Sequence, residues 1–98
     1  MILQEFARNL RVLVTSDVHE LLCDLAQIDK HSDLMAQIER AMPKIDVVLI
    51  AHAIQPEQDA AFADTAVMAK VFHTNSVSVF SLLSLLCSQM TKTGGGTI

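Results

Sequence analysis

A continuous apolar run within residues 45–51 constrains the fold of this 98-residue chain more than any other feature. The segment reads IDVVLIA, with five consecutive apolar residues, and lies between Pro43 and the loop Gln55-Pro56-Glu57. Strands with one solvated face alternate apolar and polar residues, whereas an unbroken apolar run is typical of a strand covered on both faces, as in a parallel sheet. We therefore expect a central strand over residues 45–51.

The first half of the chain alternates between helical and strand-like patterns. Apolar residues at helical spacing predict a short helix over residues 2–10, and β-branched residues predict a weak strand at 12–14 and a better one at 18–23. Ser32 can cap an amphipathic helix that Pro43 stops.

The second half is dominated by one long helix. Asp64 and Thr65 open it, its pattern continues to about Met90, and the glycines at 94–96 end it. Residues 97–98 have the pattern of another strand beginning. Helices and strands that alternate in this way predict an α/β domain.

Composition narrows the classes of function. Apolar residues make up 51% of the chain and charged residues 18%, which excludes intrinsic disorder. A net charge of −4 provides no basic surface for nucleic acid, so we expect no nucleic-acid partner. The sequence contains no tyrosine, and its three glycines are adjacent, so this chain cannot supply chemistry that needs a tyrosine or a glycine-rich loop elsewhere.

Cysteine usage and hydropathy bear on the compartment. Cys23 and Cys87 lie in apolar stretches without metal-ligand spacing, which predicts two buried thiols in a reducing, cytoplasmic compartment. The first residues lack the pattern of a secretory signal. Residues 71–90 carry little charge, but His73, Asn75 and several serines interrupt them, so we expect no contact with a membrane.

Four stretches, in this order along the chain, carry a family resemblance. They are Leu22-Cys23-Asp24-Leu25, the run PKIDVVLIAHA at 43–53 with QPEQ at 55–58, Asn75 in the long helix, and GGGTI at 94–98. From Val18 onward the chain resembles the short-chain dehydrogenase/reductase family. The resemblance implies an α/β, partial Rossmann-like fold with a parallel sheet, to which this chain contributes three strands at most. It also makes residues 11–15 a helix end and loop instead of a strand.

The resemblance also implies roles for individual residues. Asp24, with Leu25 beside it, corresponds to the aspartate that contacts the adenine ring of NAD or NADP. Ala51, His52 and Ala53 fall where the family's Asn-Ala-Gly signature packs against the cofactor, although only the position matches. Asn75 corresponds to the helix asparagine of the catalytic tetrad. No metal is implied.

Other parts of the family pattern are missing from this chain. The glycine-rich strand-turn-helix that binds the pyrophosphate would precede residue 1, and the Tyr-x-x-x-Lys pair would follow Ile98. We therefore expect residues 1–98 to form a single, incomplete Rossmann-like domain, a fragment or truncated form of an NAD(P)-dependent dehydrogenase that is not catalytic alone. The alternative is a non-catalytic α/β module that assembles with itself or with another protein.

Each candidate residue also has a simpler interpretation. Asp24 fits a solvated turn, His52 fits a polar loop residue with no metal partner, and Asn75 fits a hydrogen bond to the backbone of the adjacent strand. The glycines at 94–96 fit a helix stop, since no helix follows them to make a phosphate site.

The long helix also predicts self-association. Ser78, Ser81, Ser84 and Ser88 recur along one stripe of it, and apolar residues that include Leu82 and Leu86 fill the rest of its circumference. A helix that is apolar on nearly all sides needs cover on more than one side, so we expect a homo-oligomer formed through residues 65–90. We also expect the strands around Leu21 and Leu49 to pair directly or through a second copy.

Overall fold

The computed structural model describes residues 2–13 and 17–98, and helices dominate them. The α-helices are α1 (Ile2–Leu13), α2 (His31–Ala41), α3 (Gln58–Ala63), α4 (Thr65–Phe72) and α5 (Ser78–Lys92). A 3-10 turn over Ile28–Lys30 leads into α2, and a π-helical turn over His73–Val77 joins α4 to α5. Thr65–Lys92 is therefore one continuous helix.

The predicted helices at the start, middle and end of the chain are confirmed. α1 extends to Leu13, so the weak strand predicted at 12–14 is wrong for residues 12 and 13, and residues 14–16 lie outside the described part of the chain. The start of α2 lies two residues before the predicted one, because Lys30 occupies the cap position and Ser32 lies in the first turn.

Local sequence sets both ends of the long helix. The Asp64 carboxylate accepts a hydrogen bond from the amide of Ala66 at 2.9 Å, which satisfies a free N–H of the first turn. At the other end Gly94 and Gly95 adopt positive φ values of 105° and 96°, and the Gly95 amide donates to the carbonyl of Met90 at 2.6 Å. Glycine adopts this left-handed conformation without a steric penalty, so the helix stops where the sequence predicts.

The predicted α/β fold with a parallel sheet is wrong: the structure is 61% helical and contains no strand among its described residues. Residues 45–51 make a single parallel bridge, in which the Val48 amide donates to Thr97 and the Thr97 amide donates to Asp46, both at 2.8 Å. No backbone hydrogen bond joins residues 17–24 to this segment in the described part of the chain, so the predicted direct pairing of Leu21 and Leu49 is absent. A strand exists only with a neighbour, and a single bridge is too short to count as one.

Burial along the apolar run shows that only one of its two faces is covered, whereas the sequence predicts cover on both. Residues 48, 50, 52 and 54 are half-buried, whereas residues 47, 49, 51 and 53 are exposed. This period of two is that of an extended chain with one face packed and one face open. Val47 is 73% exposed and Leu49 88% exposed, because helices cover this segment on one side only.

The core lies between α2, α5 and the packed face of this segment. Its buried members are Met35, Ile45, Leu82, Leu86 and Met90. Half-buried apolar side chains pack around them: Leu25, Leu34, Ile38, Val48, Ile50 and Leu85. The inward side of α5 therefore follows a spacing of four residues.

An apolar groove of about 570 Å³ runs along residues 45–52 between α2 and α5. Its lining is apolar apart from His52 and includes Leu34, Ile38, Val47 and Leu49.

The Cα radius of gyration is 15.9 Å, whereas a compact domain of this length has about 13 Å. The molecule is thus more open than a chain with a closed core.

Two further sequence expectations concern exposure and hydropathy. Cys87 is exposed and Cys23 is only half-buried, so the prediction of two buried thiols is wrong. By length and composition the helix Thr65–Lys92 is apolar enough to cross a bilayer, a property that the core helix of a globular protein also has.

Candidate functional site

A cavity of about 230 Å³ lies where the two non-helical segments meet the π-helical turn. We call it the Asp24 cavity; its lining residues are Cys23, Asp24, Leu25, Ala26, His52, Ala53, Ile54 and Thr74. Four of the residues that the family resemblance singled out are thus brought together from positions about 28 residues apart in sequence. Ala51 is not among them, because it is exposed and faces the apolar groove.

Asp24 begins a tight turn at the edge of this cavity. Its Oδ1 accepts a hydrogen bond from the Ala26 amide at 3.0 Å, and its carbonyl accepts one from the Gln27 amide at 3.0 Å. A short carboxylate side chain that bonds the backbone two residues on is a common way to form a turn. The Asp24 side chain is exposed, and its Oδ1 is engaged within the turn.

Two histidines form hydrogen bonds to the carbonyls of the same turn. His31 Nε2 lies 2.8 Å from the carbonyl of Leu25, and its Nδ1 lies 2.7 Å from Ser81 Oγ on α5. His73 Nε2 lies 2.7 Å from the carbonyl of Ala26. His31 is completely buried, so its two bonds tie the turn to the interior of the molecule.

His52 makes a hydrogen bond with a serine on the long helix. Its Nε2 lies 2.8 Å from Ser78 Oγ, and the Ser78 hydroxyl donates its own proton to the carbonyl of Thr74. His52 must therefore be the donor to Ser78. The pair does not constitute an activated nucleophile, because Ser78 is completely buried and the imidazole donates to it instead of accepting its proton.

Asn75 lies on the π-helical turn and bonds the backbone of Ile54 in the cavity wall. Its Oδ1 accepts from the Ile54 amide at 2.7 Å, and its Nδ2 donates to the Ile54 carbonyl at 2.8 Å. The side-chain amide thus gives Ile54 the two bonds that a neighbouring strand would give. This is the simpler of the two interpretations made from the sequence, and a catalytic role for Asn75 stays a prediction.

The groups that line the Asp24 cavity are suited to binding a small ligand. It presents one carboxylate, one imidazole and backbone groups of two loops beside the apolar side chains of Leu25 and Ile54. Ligand sites combine apolar walls with a few polar groups in this way. Within residues 2–13 and 17–98, no three histidine, cysteine or acidic side chains converge as metal ligands would.

Sequence reasoning missed the roles of His31, His73 and Ser81. The contacts of the two histidines are with backbone carbonyls and a hydroxyl. His31 bonds a serine 50 residues away, and His73 bonds a carbonyl 47 residues away. No local pattern encodes contacts at such separations.

Comparison with known proteins gives one match and one negative result. A family model described as short chain dehydrogenase matches residues 2–98. A search of curated protein sequences finds no significant match.

Proposed function

Since the chain belongs to the short-chain dehydrogenase family, whose members generally use NAD or NADP, we propose that it is the central segment of an NAD(P)-dependent oxidoreductase. In this proposal residues 1–98 form a single incomplete domain, and the Asp24 cavity holds the adenine ring of the dinucleotide. Catalysis by the chain alone is not part of the proposal, because the sequence has no tyrosine.

The observation that carries the proposal is the meeting of Asp24 and Leu25 with His52 and Ala53 in one cavity. Its volume of about 230 Å³ is below the range of about 300–1,000 Å³ of whole-ligand pockets. A single heterocycle matches that volume better than an entire dinucleotide. The Asp24 carboxylate is an acceptor suited to the exocyclic amino group of adenine.

Binding in this proposal is weak, because pyrophosphate recognition is missing. Tight dinucleotide sites use backbone N–H groups of a glycine-rich turn at a helix N-terminus. The glycines of this chain lie at 94–96, after the C-terminus of α5, where the helix dipole disfavours anions.

An NMR titration with adenosine and with NADH tests the proposal. We expect amide shifts confined to residues 23–26 and 52–54, with dissociation constants in the millimolar range for both ligands. Asp24→Asn keeps an acceptor for the Ala26 amide but loses an acceptor at the second oxygen, so adenosine affinity should fall while the melting temperature holds. Asp29→Asn, at an exposed acidic position nearby, serves as the matched control.

Two results would contradict this proposal. One is the absence of any shift in these residues at adenosine concentrations near its solubility limit. The other is a low micromolar dissociation constant for NADH by calorimetry, which would require a pyrophosphate site.

Self-association is the second candidate function. Apolar side chains remain exposed on the outward side of the long helix, among them Met68, Phe72 and Phe80. We propose that the chain forms a homo-oligomer through this outward side of residues 65–90. Light scattering should report a mass above the 10.7 kDa of one chain, and Phe80→Glu should lower it toward one chain, whereas Glu57→Lys should leave it unchanged. A monomeric wild type at micromolar concentration would refute this.

The predicted reducing, cytoplasmic location stays a prediction.

A further inference from the structure

The turn at residues 24–27 is bonded more completely than an exposed turn requires. The Ala26 and Gln27 amides are satisfied by Asp24, and the Leu25 and Ala26 carbonyls by two imidazoles. Exposed turns of this kind usually leave their carbonyls to water. Here the two carbonyls are bonded instead by side chains from α2 and from the π-helical turn.

The proton positions in this arrangement follow from the partners. A carbonyl oxygen can only accept, so Nε2 of both His31 and His73 carries a hydrogen. In the neutral ring, His31 Nδ1 then accepts from the Ser81 hydroxyl at 2.7 Å. Because His31 is completely buried, this tautomer is held at both nitrogens by the fold itself.

We propose that His31 and His73 are positioning residues that clamp the Leu25 and Ala26 carbonyls and so hold the Asp24 carboxylate at its cavity. The value of this clamp for binding rests on the proposed nucleotide site, whereas its effect on the turn does not. Without the clamp, ligand binding would have to order the turn and would lose the corresponding affinity.

The cleaner variant is at His73, because it is half-buried and its bond to Ala26 is the contact at issue. His73→Leu keeps an apolar body but has no donor, whereas His73→Gln keeps an N–H donor near the position of Nε2. The readouts are hydrogen exchange of the Ala26 and Gln27 amides without ligand, adenosine affinity, and exchange of the Leu86 amide in the core.

We expect His73→Leu to speed exchange of the two turn amides by about three- to tenfold, the factor that one net hydrogen bond contributes to an equilibrium constant, and to weaken adenosine binding by a similar factor. His73→Gln should restore both values, and Leu86 exchange should be unchanged in both variants. If His73 acted only by packing its ring against the rest of the molecule, His73→Leu would also speed exchange of the Leu86 amide, and His73→Gln would not restore the wild-type values.

A second variant keeps the test independent of His73. Ser81→Ala removes the hydroxyl that donates to His31 Nδ1, so the ring is free to adopt the other tautomer and release the Leu25 carbonyl. Ring ¹⁵N shifts should show Nε2–H at His31 in the wild type and a mixture of tautomers in Ser81→Ala.

The outcomes separate the two proposals. The clamp is overturned if His73→Leu leaves the hydrogen-exchange rates of the Ala26 and Gln27 amides unchanged. It is also overturned if the wild-type His31 ring carries its hydrogen on Nδ1. Faster exchange with unchanged adenosine affinity overturns its positioning role. Histidine-dependent exchange in a chain that binds no adenosine supports the clamp and refutes the nucleotide site.

Discussion

Three polar side chains of the long helix, Asn75, Ser78 and Ser81, each have a hydrogen-bond partner in a loop or in α2, and those partners define how these segments attach to the helix. Asn75 bonds both backbone groups of Ile54, Ser78 bonds His52, and Ser81 bonds His31. Buried polar groups cost free energy unless they are paired, so these bonds specify one arrangement of loop and helix. The serines at 78 and 81 therefore serve the interior, whereas only those at 84 and 88 of the predicted stripe are exposed.

Replacing Asn75 tests the strength of this attachment. Asn75→Ala leaves the amide and carbonyl of Ile54 without protein partners, so we expect the free energy of unfolding to fall by about 1–3 kcal/mol. Denaturant titration measures the change. Ser88→Ala, at an exposed site on the same helix, should change it by less than about 0.5 kcal/mol. Equal effects at the two positions would contradict the role given to Asn75.

Gly96 permits the parallel bridge between Val47 and Thr97. A Cβ placed there would collide with the carbonyl of Asp46 and the methyl end of Met90. We expect Gly96→Ala to destabilise the protein by about 1–3 kcal/mol and to remove protection of the Val48 amide from hydrogen exchange. At Gly94 the space is open, so Gly94→Ala should cost only the strain of its positive φ, about 1–2 kcal/mol, and leave Val48 protected. Val48 protection that survives Gly96→Ala would show that the bridge tolerates a side chain.

At the scale of elements, α5 divides into an inward and an outward side. Ser78, Leu82, Leu86 and Met90 are buried at a spacing of four, and Phe80 on the other side is 67% exposed. Leu82 and Leu86, which the sequence placed on the apolar circumference of this helix, pack in the core of one chain. Charged substitutions at these two positions would therefore unfold the chain and would not report on self-association.

The two sides of α5 should respond differently to truncation. Leu86→Ala creates a cavity in the core and should lower the free energy of unfolding by about 2–5 kcal/mol. Phe80→Ala removes a side chain that is largely exposed and should change it by less than about 0.5 kcal/mol. The comparison is made by denaturant titration at low protein concentration. A larger loss for Phe80→Ala would mean that another surface covers it.

At the scale of the whole molecule, the open face of residues 45–51 is the dominant feature. Leu49, 88% exposed, lies on the apolar groove of about 570 Å³. Contiguous apolar surface of this kind binds apolar molecules or promotes association.

A fluorescent apolar dye such as anilinonaphthalene sulfonate reports this face directly. We expect the native protein to enhance the dye's fluorescence, and Leu49→Lys to reduce the enhancement without lowering the melting temperature. Gln37→Lys, at an exposed site on α2, makes the same change of one positive charge away from the groove and should leave the dye signal unchanged. Native protein that gives no enhancement would show that the groove is closed in solution.

The sequence by itself determined the long helix and its ends. Asp64, Gly94 and Gly95 act through bonds and φ values within a few residues, so the bounds of the long helix follow from local physics. The resemblance also identified Asp24, Leu25, His52 and Ala53, which the fold gathers in one cavity.

Only the tertiary structure decided whether the apolar run would become a strand, and which partners the histidines would bond. A strand depends on the backbone of a neighbour, and the run at 45–51 has one bridge to Thr97 and helices on one face alone. His31 and Ser81 meet across 50 residues because α2 packs on α5. Contacts at such separations depend on how the elements pack, and no pattern within one segment specifies that packing.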